Sequence, residues 1–155
     1  MLILRHLTTI IFLFFIIAPT AHTQNLSSVV NDFSIKFFNY ATDYKTKSTT
    51  LLQYKLTDEA TILSDLGDIA VQYAALFDHI SDLIDIYQMS SEVNVKNFCK
   101  KKIMEKKTKG QKGLHDADIK YIDSVIELLT VESIKEKTIE FRKDLIAVQA
   151  IFETL

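Results

Sequence analysis

"LTDEATILSDLGDIAVQYAALFDHISDLIDIYQ", residues 56–88, decides the fold class. Within it Leu63, Leu66, Ala70, Tyr73, Phe77, Ile80, Ile84 and Tyr87 recur at alternating spacings of three and four without a miss. That period puts all of them on one face of an α-helix and does not fit the strict alternation of a half-buried strand. Ile62, Ile69, Leu76 and Leu83 add a further apolar position to every heptad. The stripe is then wide enough to touch two neighbours, which favours a compact bundle over the narrow seam of a two-stranded coiled coil. Gly67, inside this helix, costs about 1 kcal/mol relative to alanine and reads as a close helix crossing or a slight bend.

The same period extends in both directions. Upstream, Leu26, Val30, Phe33, Phe37, Tyr40 and Tyr44 fall on one face, and Leu51 and Tyr54 continue it after a miss at Lys47. Either Thr46 to Thr50, or Thr57 capping the second helix, separates these two helices. Downstream, Ser90 or Ser91 can cap a third helix through Val95, Phe98, Cys99 and Ile103, which should fray before a loop at Gly110–Gly113. Asp116 suits the cap of a fourth helix carrying Ile119, Ile122, Ile126 and Leu129. A last stretch with Ile134, Thr138, Phe141, Leu145, Val148 and Phe152 is out of register with the fourth. Ser133 and Glu136 have the form of a capping box, so a break near 130–133 gives five helices, and a bent continuous helix gives four. Beyond Pro19 there is no proline, and the glycines are Gly67, Gly110 and Gly113 alone; sheet proteins need many more turn residues. The expected fold is all-α, a compact antiparallel bundle of four or five amphipathic helices near residues 25–54, 58–89, 91–109, 116–130 and 133–154.

Ahead of the bundle, Arg5 and His6 precede an apolar run from Ile10 to Ala18 and then small or polar residues, the pattern of a secretory signal peptide. The run is well short of the ~18–20 apolar residues of a membrane span, and no second run of spanning length follows. Residues 1–23 read as the signal peptide, residues 24–155 as one helical domain, and the mature protein as secreted and free of a transmembrane segment. Export makes Asn25-Leu26-Ser27 a glycosylation acceptor at Asn25.

Charge is segregated. Residues 96–112 hold Lys96, Lys100, Lys101, Lys102, Lys106, Lys107, Lys109 and Lys112 with Glu105 as the one acidic residue, whereas no basic side chain lies between Lys55 and Lys96. In that second interval Asp65, Asp68, Asp78, Asp82 and Asp85 fall mostly outside the apolar face. The lysines can be a polyanion patch. Equally, helices joined by a short connection pack antiparallel, so the basic helix can lie beside the acidic one and be partly neutralised by it. A net charge of −2, the lack of interleaved aromatic rings and export all argue against a nucleic-acid target.

Cys99 sits with Val95 and Ile103 on the apolar side of its helix. It reads as a core thiol first, an interchain disulfide second and a catalytic nucleophile last. Asp78, Asp82 and Asp85 beside His79, and His115 with Asp116 and Asp118, are clusters of potential ligands. Neither reproduces the spacing of di-iron bundles or zinc proteases, and a solvated face and N-terminal capping account for them. There is no Gly-rich phosphate loop and no Gly-x-Ser-x-Gly elbow. The expectation is a protein without catalytic, metal or cofactor residues. The aromatic positions Phe33, Phe37, Tyr40, Tyr44, Tyr73 and Phe77 either are the core or line an apolar pocket in it. Three functions follow: a non-enzymatic interaction protein acting through helix faces on a protein partner or as a homodimer; a carrier of a fatty acid-like molecule; and a polyanion-binding module.

Overall fold

The computed structural model describes residues 26–111 and 114–155; the segment expected to be a signal peptide, Asn25, Lys112 and the side chain of Lys109 lie outside what is described. Among the described residues five helices follow one another: α1 Leu26–Gln53, α2 Thr57–Met89, α3 Val93–Gln111, α4 Leu114–Ile126 and α5 Glu132–Thr154. Helices pack in pairs around one core, and no strand occurs among the described residues. The fourth and fifth helices are separate.

α1 and α2 form the most intimate pair, and small residues make this contact. Ser27, Ser34, Ala41 and Ser48 on α1, and Ala60, Gly67, Ala74 and Ser81 on α2, are two seven-residue series that are buried throughout. They meet antiparallel. Ser27 Oγ lies 3.0 Å from Ser81 Oγ, Ser34 Oγ donates to the Ala74 carbonyl at 3.0 Å and Ser48 Oγ donates to the Ala60 carbonyl at 2.6 Å. A serine side chain is short, so bonds of this kind to a neighbour's main chain require the two backbones to run close together. The miss at Lys47 is explained here: the inward position in that turn is Ser48, and Tyr54 lies beyond the helix end and is exposed. At Gly67 the close approach is to the stem of Lys45, whose Cγ and Cε would each stand 3.0 Å from an added Cβ.

Large side chains fill the space between this pair and the rest. Phe37 is fully buried, with ring centroids 5.6 Å from Tyr73, 5.9 Å from Phe77 and 5.8 Å from Phe141. On α5, Ile134, Thr138, Phe141, Leu145, Val148 and Phe152 are all buried, as their spacing requires. Burying one such side chain contributes roughly 1.5–3 kcal/mol. The buried polar atoms are mostly paired within the core; Tyr44, for example, donates to Thr138 Oγ1 at 3.1 Å.

The helix ends differ from the expected caps. α1 closes when Lys55 N–H donates to the Leu52 carbonyl and Leu56 N–H to the Leu51 carbonyl, with Lys55 at φ 61°. This is a Schellman closure with lysine at the left-handed position that glycine usually takes. Leu56, not Thr57, occupies the N-cap of α2, without a side-chain bond. Ser90 Oγ accepts from Glu92 N–H at 3.1 Å just before α3, whereas Asp116 lies inside the first turn of α4 and Ser133 inside α5, whose N-cap is Val131. α3 does not fray before Gly110. It continues to Gln111 because Gly110 packs against Phe152 and Leu76. The break between α4 and α5 comes earlier than expected, and Glu59 of α2 holds it: its carboxylate accepts from Thr130 N–H at 3.0 Å and from Thr130 Oγ1 at 2.8 Å.

Candidate functional site

α3 carries the lysines, and its packing decides where they point. Cys99 is 1% exposed and unpaired, and Val95 and Ile103 are partly buried on the same inward side. A bridge from this sulfur to another chain would require α3 to open. With that face spent on the bundle, Lys100 and Lys101 are exposed and Lys96, Lys102, Lys106 and Lys107 are half-buried. α3 does lie against α2. Among the described residues, however, no ion pair joins a lysine of α3 to an aspartate of α2. Lys102 pairs with Glu105 one turn along the same helix at 2.7 Å. Lys96 lies 5.5 Å from the centre of the Tyr87 ring, and Lys102 lies 5.9 Å from that of Phe98.

Exposed apolar side chains interrupt this basic face. Phe98, Met104 and Val93 are all exposed, with Met89 just before the helix. Met104 shares a shallow depression with Lys101 and a groove of about 270 Å³ with Lys100, Ile103, Tyr87, Ile84 and Leu155. Of the six aromatic residues expected to line a pocket, Phe37, Tyr40, Tyr44, Tyr73 and Phe77 are core and Phe33 packs against it partly buried; Tyr73 also borders a pocket.

Tyr73 leads to a second feature. A pocket of about 350 Å³ opens between α2, the end of α3 and α4, bordered by Tyr73, Leu76, His79, Lys106, Gly110 and Asp118. The Tyr73 hydroxyl lies 3.1 Å from Asp118 Oδ2 and 3.2 Å from His115 Nδ1. A carboxylate can only accept, so the single hydroxyl proton goes to Asp118, and His115 must donate from Nδ1. Its Nε2 is then an acceptor, and that atom is buried without a hydrogen-bond partner. Burial pushes the Asp118 carboxyl up and the His115 imidazole down, the neighbouring acids opposing the second shift. The Tyr73 hydroxyl is raised, by burial first and then by Asp118, so it stays protonated. Titratable groups displaced from their usual range beside a pocket mark a binding or reactive site more often than chance.

Sequence reasoning grouped His115, Asp116 and Asp118 at a helix start. It had no means of bringing Tyr73 to them, 42 positions away from His115. No group of three or more metal-ligating side chains is assembled among the described residues, and no helix there is long and apolar enough to cross a membrane.

Fold and surface together define a small five-helix bundle with a lysine-rich outer helix. No protein-family model matches the chain, and neither a curated protein nor a solved structure matches it.

Proposed function

We propose that the mature chain is an exported, non-enzymatic binding protein that docks through the outer face of α3 onto an acidic protein surface. One observation carries this reading: among the described residues no ion pair joins an α3 lysine to the adjacent acidic helix, and the lysines lie around exposed Phe98 and Met104. A block of like charge with Lys100 and Lys101 exposed attracts an anionic partner and steers its approach. Interfaces draw much of their energy from a few buried aromatic and methionine contacts within a polar rim, and a bare polyanion would leave Phe98 and Met104 unused.

The test is titration of a fluorescent acidic amphipathic peptide of alternating Glu and Leu blocks. Binding should weaken steeply with salt, lose about tenfold or more in the Lys100→Gln/Lys101→Gln/Lys102→Gln variant, and lose a comparable amount in Phe98→Ala. Retention of a heparin column at the same salt by wild type and Phe98→Ala, with no peptide binding, would replace this reading with the polyanion one. Sedimentation at low and high ionic strength separates self-association, in which the acidic face of α2 in a second copy is the partner surface.

The carrier reading rests on the groove beside Met104. Its walls are Leu26, Ile84, Tyr87, Ile103 and Leu155, and Lys100 stands at its edge. A medium-chain fatty acid would lay its chain there and place its carboxylate at Lys100. Native mass spectrometry after mild extraction tests it; an apo mass and no displacement of a fluorescent fatty acid would reject it.

A further inference from the structure

We propose that the pocket between α2, α3 and α4 binds a small zwitterion of amino-acid type that bears an apolar side chain. Among the described residues the pocket presents one formal charge of each sign, Asp118 from α4 and Lys106 from α3, with Ala75, Leu76 and the Tyr73 side chain as apolar wall. A ligand of a single charge would be drawn to one of these groups and repelled by the other. A molecule with an ammonium and a carboxylate on one carbon satisfies both.

Each charged group is under-used as it stands. Tyr73 occupies Asp118 Oδ2 and leaves Oδ1 for a second donor, in surroundings whose low polarity already disfavours the carboxylate. An incoming ammonium group would remove that penalty. Lys106 Nζ contacts His79 Nδ1 at 3.4 Å, a long contact to a single ring nitrogen. A ligand carboxylate is a stronger acceptor for the same ammonium and replaces that contact. The volume, about 350 Å³, lies at the lower end of small-molecule sites. It suits one free amino acid and excludes a folded peptide. His115 is a positioning residue in this arrangement, because its Nδ1 proton directs the Tyr73 hydroxyl onto Asp118 and holds that carboxylate in place.

Three probes that share a benzene ring test the inference by calorimetry on the mature protein: phenylalanine, phenethylamine and 3-phenylpropionate. Phenylalanine should bind, and each half-ligand should bind about tenfold more weakly or worse. Asp118→Asn should weaken phenylalanine and phenethylamine by about tenfold while leaving 3-phenylpropionate unchanged. Lys106→Gln, a change at a half-exposed rim position that leaves the core untouched, should do the converse. Equal binding of phenylalanine and either half-ligand would overturn the proposal. So would the absence of heat with all three probes, or phenylalanine affinity unaffected by Lys106→Gln.

Discussion

A methyl group built on Gly110 would lie 2.5 Å from Cζ of Phe152. Gly110 thus marks the point at which the end of α3 touches α5, and nothing larger than hydrogen fits. Phe152 is fully buried and stacked on Phe77 with centroids 5.7 Å apart, so its ring cannot swing away cheaply. Gly67 offers the contrast, since an added methyl there meets the flexible stem of Lys45 at 3.0 Å. Gly110→Ala should destabilise by about 1–3 kcal/mol as an overpacked core does. Gly67→Ala should fall between neutral and about 1 kcal/mol stabilising, the helix-propensity gain less the cost of shifting Lys45. Urea denaturation of the two variants checks the difference in sign.

The left-handed backbone of Lys55 predicts a stabilising change. A residue with a Cβ loses roughly 1–2 kcal/mol in that conformation, and glycine does not, although it loses more entropy on folding. Lys55 is exposed, and its side chain makes no ion pair among the described residues. Lys55→Gly should raise the unfolding free energy by about 0.5–1 kcal/mol. An unchanged or lower thermal midpoint would mean that the turn is held by something other than the Leu51 and Leu52 carbonyl bonds.

These two sites illustrate what the sequence could and could not reveal. Helix class, core face and most core positions were legible because large apolar residues recur at helical period, and Phe37, Phe77, Phe141 and Leu145 lie where counting put them. The α1–α2 seam was harder to see because Ser27, Ser34 and Ser48 are not hydrophobic, and a search for apolar faces passes over them. Caps were misjudged because a cap-forming residue type does not fix the helix end: Leu56 and Val131 hold the N-cap positions of α2 and α5 without a side-chain bond, and the turn before α5 is held instead by Glu59 through Thr130. The pocket at Tyr73 depends on three helices meeting, and no local pattern encodes that.

Glu59 should be costly to remove. It is 8% exposed and binds the α4–α5 turn through both carboxylate oxygens. Glu59→Ala removes both bonds to Thr130, an exposed residue whose N–H water can reach, so the loss is the net worth of the bonds, about 0.5–1.5 kcal/mol each and more for a charged acceptor. Glu59→Gln keeps one acceptor and should recover roughly half of that loss. Hydrogen exchange at Thr130 would accelerate in both variants, more in the alanine one.

Stability should fall as pH drops below about 6.5, the usual imidazole value. The folded protein holds His115 below that value through burial, so the unfolded chain takes up a proton first, and the native state loses ground until its own imidazole titrates. Asp118 acts in the opposite sense at lower pH. Its raised carboxyl is protonated in the fold before it is in the unfolded chain, which returns some stability as pH falls towards about 3.9. In His115→Leu the denaturant midpoint should be flatter between pH 7.5 and 5 than in wild type, while Asp118→Asn should keep the His115 decline. A wild-type midpoint that rises over that interval would show that His115 is not held neutral by the fold.

The lysines of α3 supply the last prediction, because stability separates two accounts of them. If they neutralised the acidic face of α2, replacing Lys100 and Lys101 with glutamine would leave aspartates uncompensated and weaken the fold. Both side chains are exposed, and no ion pair joins them to α2 among the described residues. Removing them also relieves repulsion within a dense basic run. Unfolding free energy should therefore stay within about 0.5 kcal/mol of wild type, as for surface changes generally, while binding of the acidic peptide drops. A loss of more than about 1 kcal/mol that grows as salt is lowered would assign the lysines to the fold and remove the main support for a docking face.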